Sequence, residues 1–160
     1  MPEGSARQPF RIPARTPYYW GRIIRPMRYE VLEHTADVMI RTTGRSLEEC
    51  FANAAYALFD QMVQADRIEP VTVREITAEG FDLESLLMNF LSEFLFILDT
   101  ERLVFSRFDV SIEGLALHCL AHGERIDLER HGPKKEVKAI TYNMMSVDAE
   151  EPSLTVVFDI

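Results

Sequence analysis

Two short segments, far apart in the chain, hold the side chains best suited to chemistry. His34-Thr35-Ala36-Asp37 places an imidazole three residues before a carboxylate. Phe158-Asp159-Ile160 closes the sequence, so Asp159 is followed at once by the α-carboxylate of Ile160. If Asp37 lies beside that end, three carboxylates converge. Hard divalent cations such as calcium or magnesium take oxygen ligands of this kind, whereas zinc favours nitrogen and sulfur. The plainer alternative is that Asp37 caps a turn and Asp159 is solvated, as isolated acidic residues usually are. His34 can orient Asp37, or it can equally be satisfied by a backbone group of the turn.

Other polar residues divide into those worth following and those not. Lys138 falls in a strand-like run beside Val137 and Ala139, on the face shared by Ile140 and Tyr142. A lysine there needs a carboxylate partner, with Asp37 and Asp159 as candidates, or an edge position. His118 and His122 have the spacing of a helical metal pair. The local alternation instead reads as strand, where four residues span about 13 Å, so the two cannot share one ion. His131 sits with Arg130, Lys134 and Lys135 in the only local basic cluster of the body, which reads as a solvated loop with a contact point as the alternative. Cys50 and Cys119, the two cysteines, lack redox or zinc spacing and read as small buried hydrophobes in a reducing compartment. No Ser–His–Asp set, glycine-rich phosphate loop or Cys–His pair is present, which weighs against an independent enzyme.

The elements that must position these residues follow from periodicity. Tyr29–Glu33 and Asp37–Thr43 read as short strands, the second ended by Gly44. Ser46 and Glu49 form a capping box for a helix whose apolar stripe runs from Leu47 to Met62. Val71–Ala78 reads as a strand broken by Gly80, and Asp82 caps a second helix from Leu83 to Leu98. The apolar arc of that helix is wide enough to require burial on more than one side. Phe108–Ile112 and Leu115–Ala121 alternate around Glu113-Gly114 and run down to Gly123, a hairpin signal. Val137–Val147 and Leu154–Ile160 form a last pair across the acidic turn Asp148–Pro152, with Thr155, Val157 and Asp159 sharing one face. The expected fold is α+β: two long helices packed on a mainly antiparallel or mixed sheet.

With 160 residues, 47% of them apolar, the chain can build one substantial core. Residues 1–27 hold Arg7, Arg11, Arg15, Arg22 and Arg25 against Glu3, so +5 − 1 = +4, and the net charge of −9 leaves −9 − 4 = −13 for residues 28–160. A body that acidic repels phosphate backbones, so tight direct nucleic-acid binding is not expected; a basic partner or a bound cation is. The prolines and arginines of residues 1–27 predict a poorly ordered extension, with an organellar targeting segment as the sharper alternative and a start at Met27 as another. Neither a secretory signal nor a membrane span is read: the longest apolar stretch, Leu83 to Leu98, is interrupted by Glu84, Asn89, Ser92 and Glu93.

Together, His34–Asp37, Ser46-Leu47-Glu48-Glu49, Glu136–Tyr142 and the terminal Asp159-Ile160 resemble the archease family in order and spacing, across residues 28–160. That resemblance implies a cytoplasmic, non-catalytic factor in tRNA splicing and RNA repair. Such a factor promotes guanylylation and multiple turnover of an RtcB-type RNA ligase. It also implies a calcium site on Asp37, Asp159 and Ile160, with His34 and Lys138 on the functional surface. Asn143 stands where family members often carry a histidine, so the resemblance assigns no role to position 143. Two other classes remain: a metal-dependent phosphoester hydrolase, for which His34 is the one nearby base, and a chaperone-like interaction protein without a metal role.

Overall fold

The computed structural model describes residues 28–34 and 37–160, with the backbone alone for Glu33 and His34; the expectations for residues 1–27 lie outside the described residues. Its elements are β1 (Glu30–His34), β2 (Asp37–Thr43), α1 (Leu47–Met62), β3 (Thr72–Glu79), α2 (Leu83–Glu101), β4 (Leu103–Glu113), β5 (Ala116–Arg125), the single turn α3 (Leu128–His131), β6 (Ala139–Asp148) and β7 (Ser153–Asp159). The fold is α+β, as the periodicity predicts. The strands, however, form two sheets rather than one: a four-stranded sheet in the order β1-β2-β7-β6 and a three-stranded sheet in the order β3-β5-β4. Every pairing is antiparallel.

Both long helices bridge the sheets. α1 packs on β2 and β7 of one sheet and on β4 of the other; α2 packs on β6 and on β3 and β5. This is why the apolar arc of α2 is so wide: Leu86, Leu87, Phe90, Leu91, Phe94 and Ile97 are all fully buried. An aromatic cluster ties the layers together. Phe59 of α1 meets Phe94 of α2 edge-on at 5.5 Å and Phe105 of β4 at 5.7 Å, and Phe94 meets Phe108 of β4 at 5.3 Å. Such pairs add about 0.5–1.5 kcal/mol each beyond their area burial.

The helix starts are set locally. Ser46 accepts from the Glu49 backbone N–H, but the Glu49 carboxylate turns outward to the Arg45 N–H at 2.6 Å, so half of the expected box forms there. The complete capping box belongs to α2, where Asp82 and Ser85 cap each other. The strand expected to stop near Gly123 continues to Arg125. There the backbones of β5 and β4 approach so closely that an added Cβ on Gly123 would lie 1.8 Å from the Val104 carbonyl oxygen. Gly114, at φ 62°, makes the tight hairpin turn between the same two strands.

The order β1-β2-β7-β6 is the fact that positions the site. β7, the last strand, lies inside its sheet, and its end is flanked by the first residues of both neighbours. The Asp148 carboxylate makes the preceding turn by accepting from the Glu150 and Glu151 N–H groups.

Candidate functional site

Asp37, the first residue of β2, pairs directly with Asp159, the last residue of β7, and Asp159 pairs on its other side with Ala139, the first residue of β6. Pleating puts the three on one face, away from the core, because their neighbours Val38 and Phe158 point inward and are fully buried and Ile140 is 7% exposed. Directly opposed residues hold their Cβ atoms about 4.5–5.5 Å apart, and like charges so placed destabilise the pair. Both carboxylates are half-buried. Among the described residues, neither side chain forms a hydrogen bond or ion pair.

This pairing is the test of the donor set. Two half-buried carboxylates face to face without an internal cation fit a hard divalent ion, and Ile160, also half-buried, follows immediately. The side chains alone are too few to hold an ion fully: among the described residues no group of three or more His, Cys, Asp or Glu side chains is set to hold a metal. A third oxygen donor has to come from the backbone, from the carboxylate of Ile160 or from outside. The donor chemistry fits calcium or magnesium and not zinc.

Lys138 immediately precedes β6, an edge strand, and its side chain is exposed without a described partner; the edge position, not a carboxylate, is what accommodates it. Its backbone does reach the site, since the Lys138 N–H donates to the Asp159 carbonyl at 2.7 Å. The backbone of His34 pairs with Val38, next to Asp37, while its side chain lies outside the described residues, as do Thr35 and Ala36. One row along the sheet, β6 bulges outward: Thr141 pairs with Val157 but Ser146 pairs with Thr155. Tyr142, Asn143 and Met144 stand exposed on this bulge, with Met144 at φ 60° and the Asn143 N–H bonded to Thr141 Oγ1.

The histidines separate as their strand setting demands. His118 Nε2 lies 2.6 Å from Glu75, and His122 Nε2 lies 2.9 Å from Asp109, two separate pairs on the open face of the three-stranded sheet. His131 is a correction. It is not in a solvated loop but ends α3 and is fully buried. Its Nδ1 accepts from the Asp127 N–H, which leaves Nε2 as the protonated nitrogen, donating to Glu124 at 2.8 Å. Arg130 grips the same carboxylate with two hydrogen bonds, at 2.7 and 2.9 Å, and the Glu69 N–H adds another. The Arg130 guanidinium, with help from these other donors, holds the Glu124 carboxyl down at about 2. Sequence reading missed this network; the visible signal was Asp127 as an N-cap ahead of a short helical turn. Burial pushes the thiols of Cys50 and Cys119 up to about 12, consistent with the hydrophobic role expected of them.

The geometry now stands beside known proteins. Residues 29–160 match the model of the Archease protein family (MTH1598/TM1083). Protein archease of Pyrococcus abyssi is 53% identical over 125 residues, covering 76% of this chain and 88% of the relative. Protein archease-like of Drosophila melanogaster is 40% identical over 144 residues, covering 84% and 91%. The solution structure of Methanobacterium thermoautotrophicum protein 1598 superposes with a TM-score of 0.72 at 38% identity, covering 84% of this chain and all of that one. A family model spanning nearly all of the described body, joined by relatives and a solved fold at these identities, leads to one conclusion: this chain belongs to the archease family.

Proposed function

We propose that this chain is a non-catalytic, cytoplasmic activator of an RtcB-type RNA ligase in tRNA splicing and RNA repair, carrying a divalent-cation site on Asp37, Asp159 and Ile160. The observation that carries the reading is the direct cross-strand opposition of Asp37 and Asp159. A protein gains nothing for its own stability from that opposition, so its use lies in what it binds. In this reading Asp37 and Asp159 hold the ion with their side chains, and Ile160 adds its α-carboxylate. When bound, calcium supplies a positive centre that cancels their repulsion and fixes the end of β7. The chain's own part is positioning: the Lys138 N–H anchors the Asp159 backbone, and β7 is held from both sides. Docked at this end, the acidic surface helps place or exchange divalent metal around the ligase's nucleotide. His34 and Lys138 belong to the contact surface.

In this reading the two carboxylates serve as ion ligands, and the RNA-joining chemistry belongs to the ligase. Among the described residues no helix is long and apolar enough to cross a membrane. The test is RNA joining by limiting ligase with and without this protein, counted in turnovers per ligase. Joining beyond one turnover only with the protein present is the expected result. An unchanged count sinks the reading and returns weight to the hydrolase or chaperone alternatives.

A further inference from the structure

A second surface combines two properties that the carboxylate row lacks. Between the end of α2, α3 and the segment leading into β6 runs a groove of about 510 Å³. Its wall is apolar: Leu95, Leu98 and Ile126 are half-buried, and Leu128 stands 51% exposed. Its rim is basic. Arg102, Lys134, Lys135 and Lys138 line it against Asp99 and Glu136, so +4 − 2 leaves +2 in a body whose net charge is −13.

Three of these four cations are available. Lys134 is tied to the Asp60 carbonyl and carboxylate. The side chains of Arg102, Lys135 and Lys138 form no hydrogen bond or ion pair among the described residues. By contrast, Arg45, Arg74 and Arg130 are each bound to a glutamate of this chain.

Their places are built in. Arg102 ends α2 in the left-handed region at φ 59°. The segment carrying Lys134 and Lys135 closes the C-terminal end of α1, whose Gln61 and Met62 carbonyls accept from the Lys135 and Lys134 N–H groups at 3.0 and 2.8 Å. The groove is thus a fixed shape rather than a loose loop.

We propose that this groove receives an acidic peptide segment bearing one or two large apolar side chains, supplied by a partner protein. The apolar wall takes the side chains and the unpaired cations take flanking Asp or Glu residues, the usual division between anchor and rim. A long polyanion such as RNA would also meet the cations, but most of its charge would extend beyond the groove over a strongly acidic body, whereas a short acidic segment keeps its few charges at the basic rim.

The probe is a short fluorescein-labelled peptide of Asp and Glu flanking a Leu-Leu pair, titrated with the full chain and followed by anisotropy. Saturable binding is expected, weakened about tenfold by Arg102→Gln with Lys135→Gln. Replacing Leu-Leu by Ser-Ser in the peptide, or Leu128→Ser in the protein, has a comparable effect. All three protein positions are exposed, and an unchanged Tm confirms that the variants fold. Absence of binding overturns the proposal, as does binding indifferent to both the cations and the leucines. An oligouridylate of equal charge that binds as tightly, with the same losses, replaces the peptide by nucleic acid and also overturns it. No ligase is present in the assay, so its outcome is independent of the activator reading.

Discussion

Two acidic sites on this molecule make opposite use of the same chemical group. Glu124 is finished within the chain: it receives two hydrogen bonds from Arg130, one from His131 and one from the Glu69 backbone. Asp37 and Asp159 face each other across a strand pair, and no described side chain answers either charge. A carboxylate whose donors are internal locks structure; a pair left open to one another is stabilised only by something that arrives. The lesson is that charge alone marks neither role, and the count of internal partners separates them.

Breaking the open pair has the largest expected effect. Asp37→Ala or Asp159→Ala reduces ligase turnover by about tenfold or more, to the level seen without the protein. In metal-free buffer the same variants keep or raise Tm, because a like-charge opposition is removed. Intact ligase activation by Asp37→Ala would make the carboxylate row irrelevant to function. Calcium sharpens the contrast: at about 100 times its Kd it stabilises the unaltered chain by about 2.7 kcal/mol. That rise in Tm disappears in Asp37→Ala and persists in Glu124→Ala.

Breaking the closed site moves stability instead. Glu124→Ala leaves the buried His131 N–H and the Glu69 N–H without their acceptor, and Tm falls by about 5 °C. Ligase turnover at a temperature below that transition is unchanged. Loss of turnover with Tm intact would reverse the roles assigned to the two sites.

The pH dependence follows from the same network. The folded carboxyl of Glu124 lies at about 2, below its ordinary 4.5. Its stabilising contribution is therefore complete above about 4.5 and is lost as pH falls towards 2. Acid titration of Tm shows this loss in the unaltered chain, and Glu124→Ala flattens that part of the curve. Two parallel curves would mean that the network contributes nothing.

The smallest effect is expected at Lys138. Lys138→Met leaves Tm within about 1 °C, as an exposed, unpaired side chain should, and lowers ligase turnover several-fold. A drop in Tm without a change in turnover would move Lys138 from the contact surface to the scaffold.

Periodicity was sufficient for the two long helices, because an apolar stripe with a capping residue encodes a helix within its own window. The strands were legible in place, Asp37–Thr43 to the residue, although β4 begins at Leu103, ahead of the run read from Phe108. The division into two sheets was not, since strand order depends on contacts that no local pattern records. The same limit explains His131. Its basic neighbours read as a solvated run, yet α3 folds it inward because Asp127 and Glu124 together satisfy both ring nitrogens.

By itself, then, the sequence determined which residues carry charge, where helices begin, which strand faces are apolar and which family the motifs resemble. Only the tertiary structure decided that β7 lies between β2 and β6, and so that Asp37 and Asp159 meet. Sequence distance is no guide to that meeting. Antiparallel register brings the start of one strand against the end of another, and register is set by burial of Val38, Ile40, Val156 and Phe158 on the opposite face.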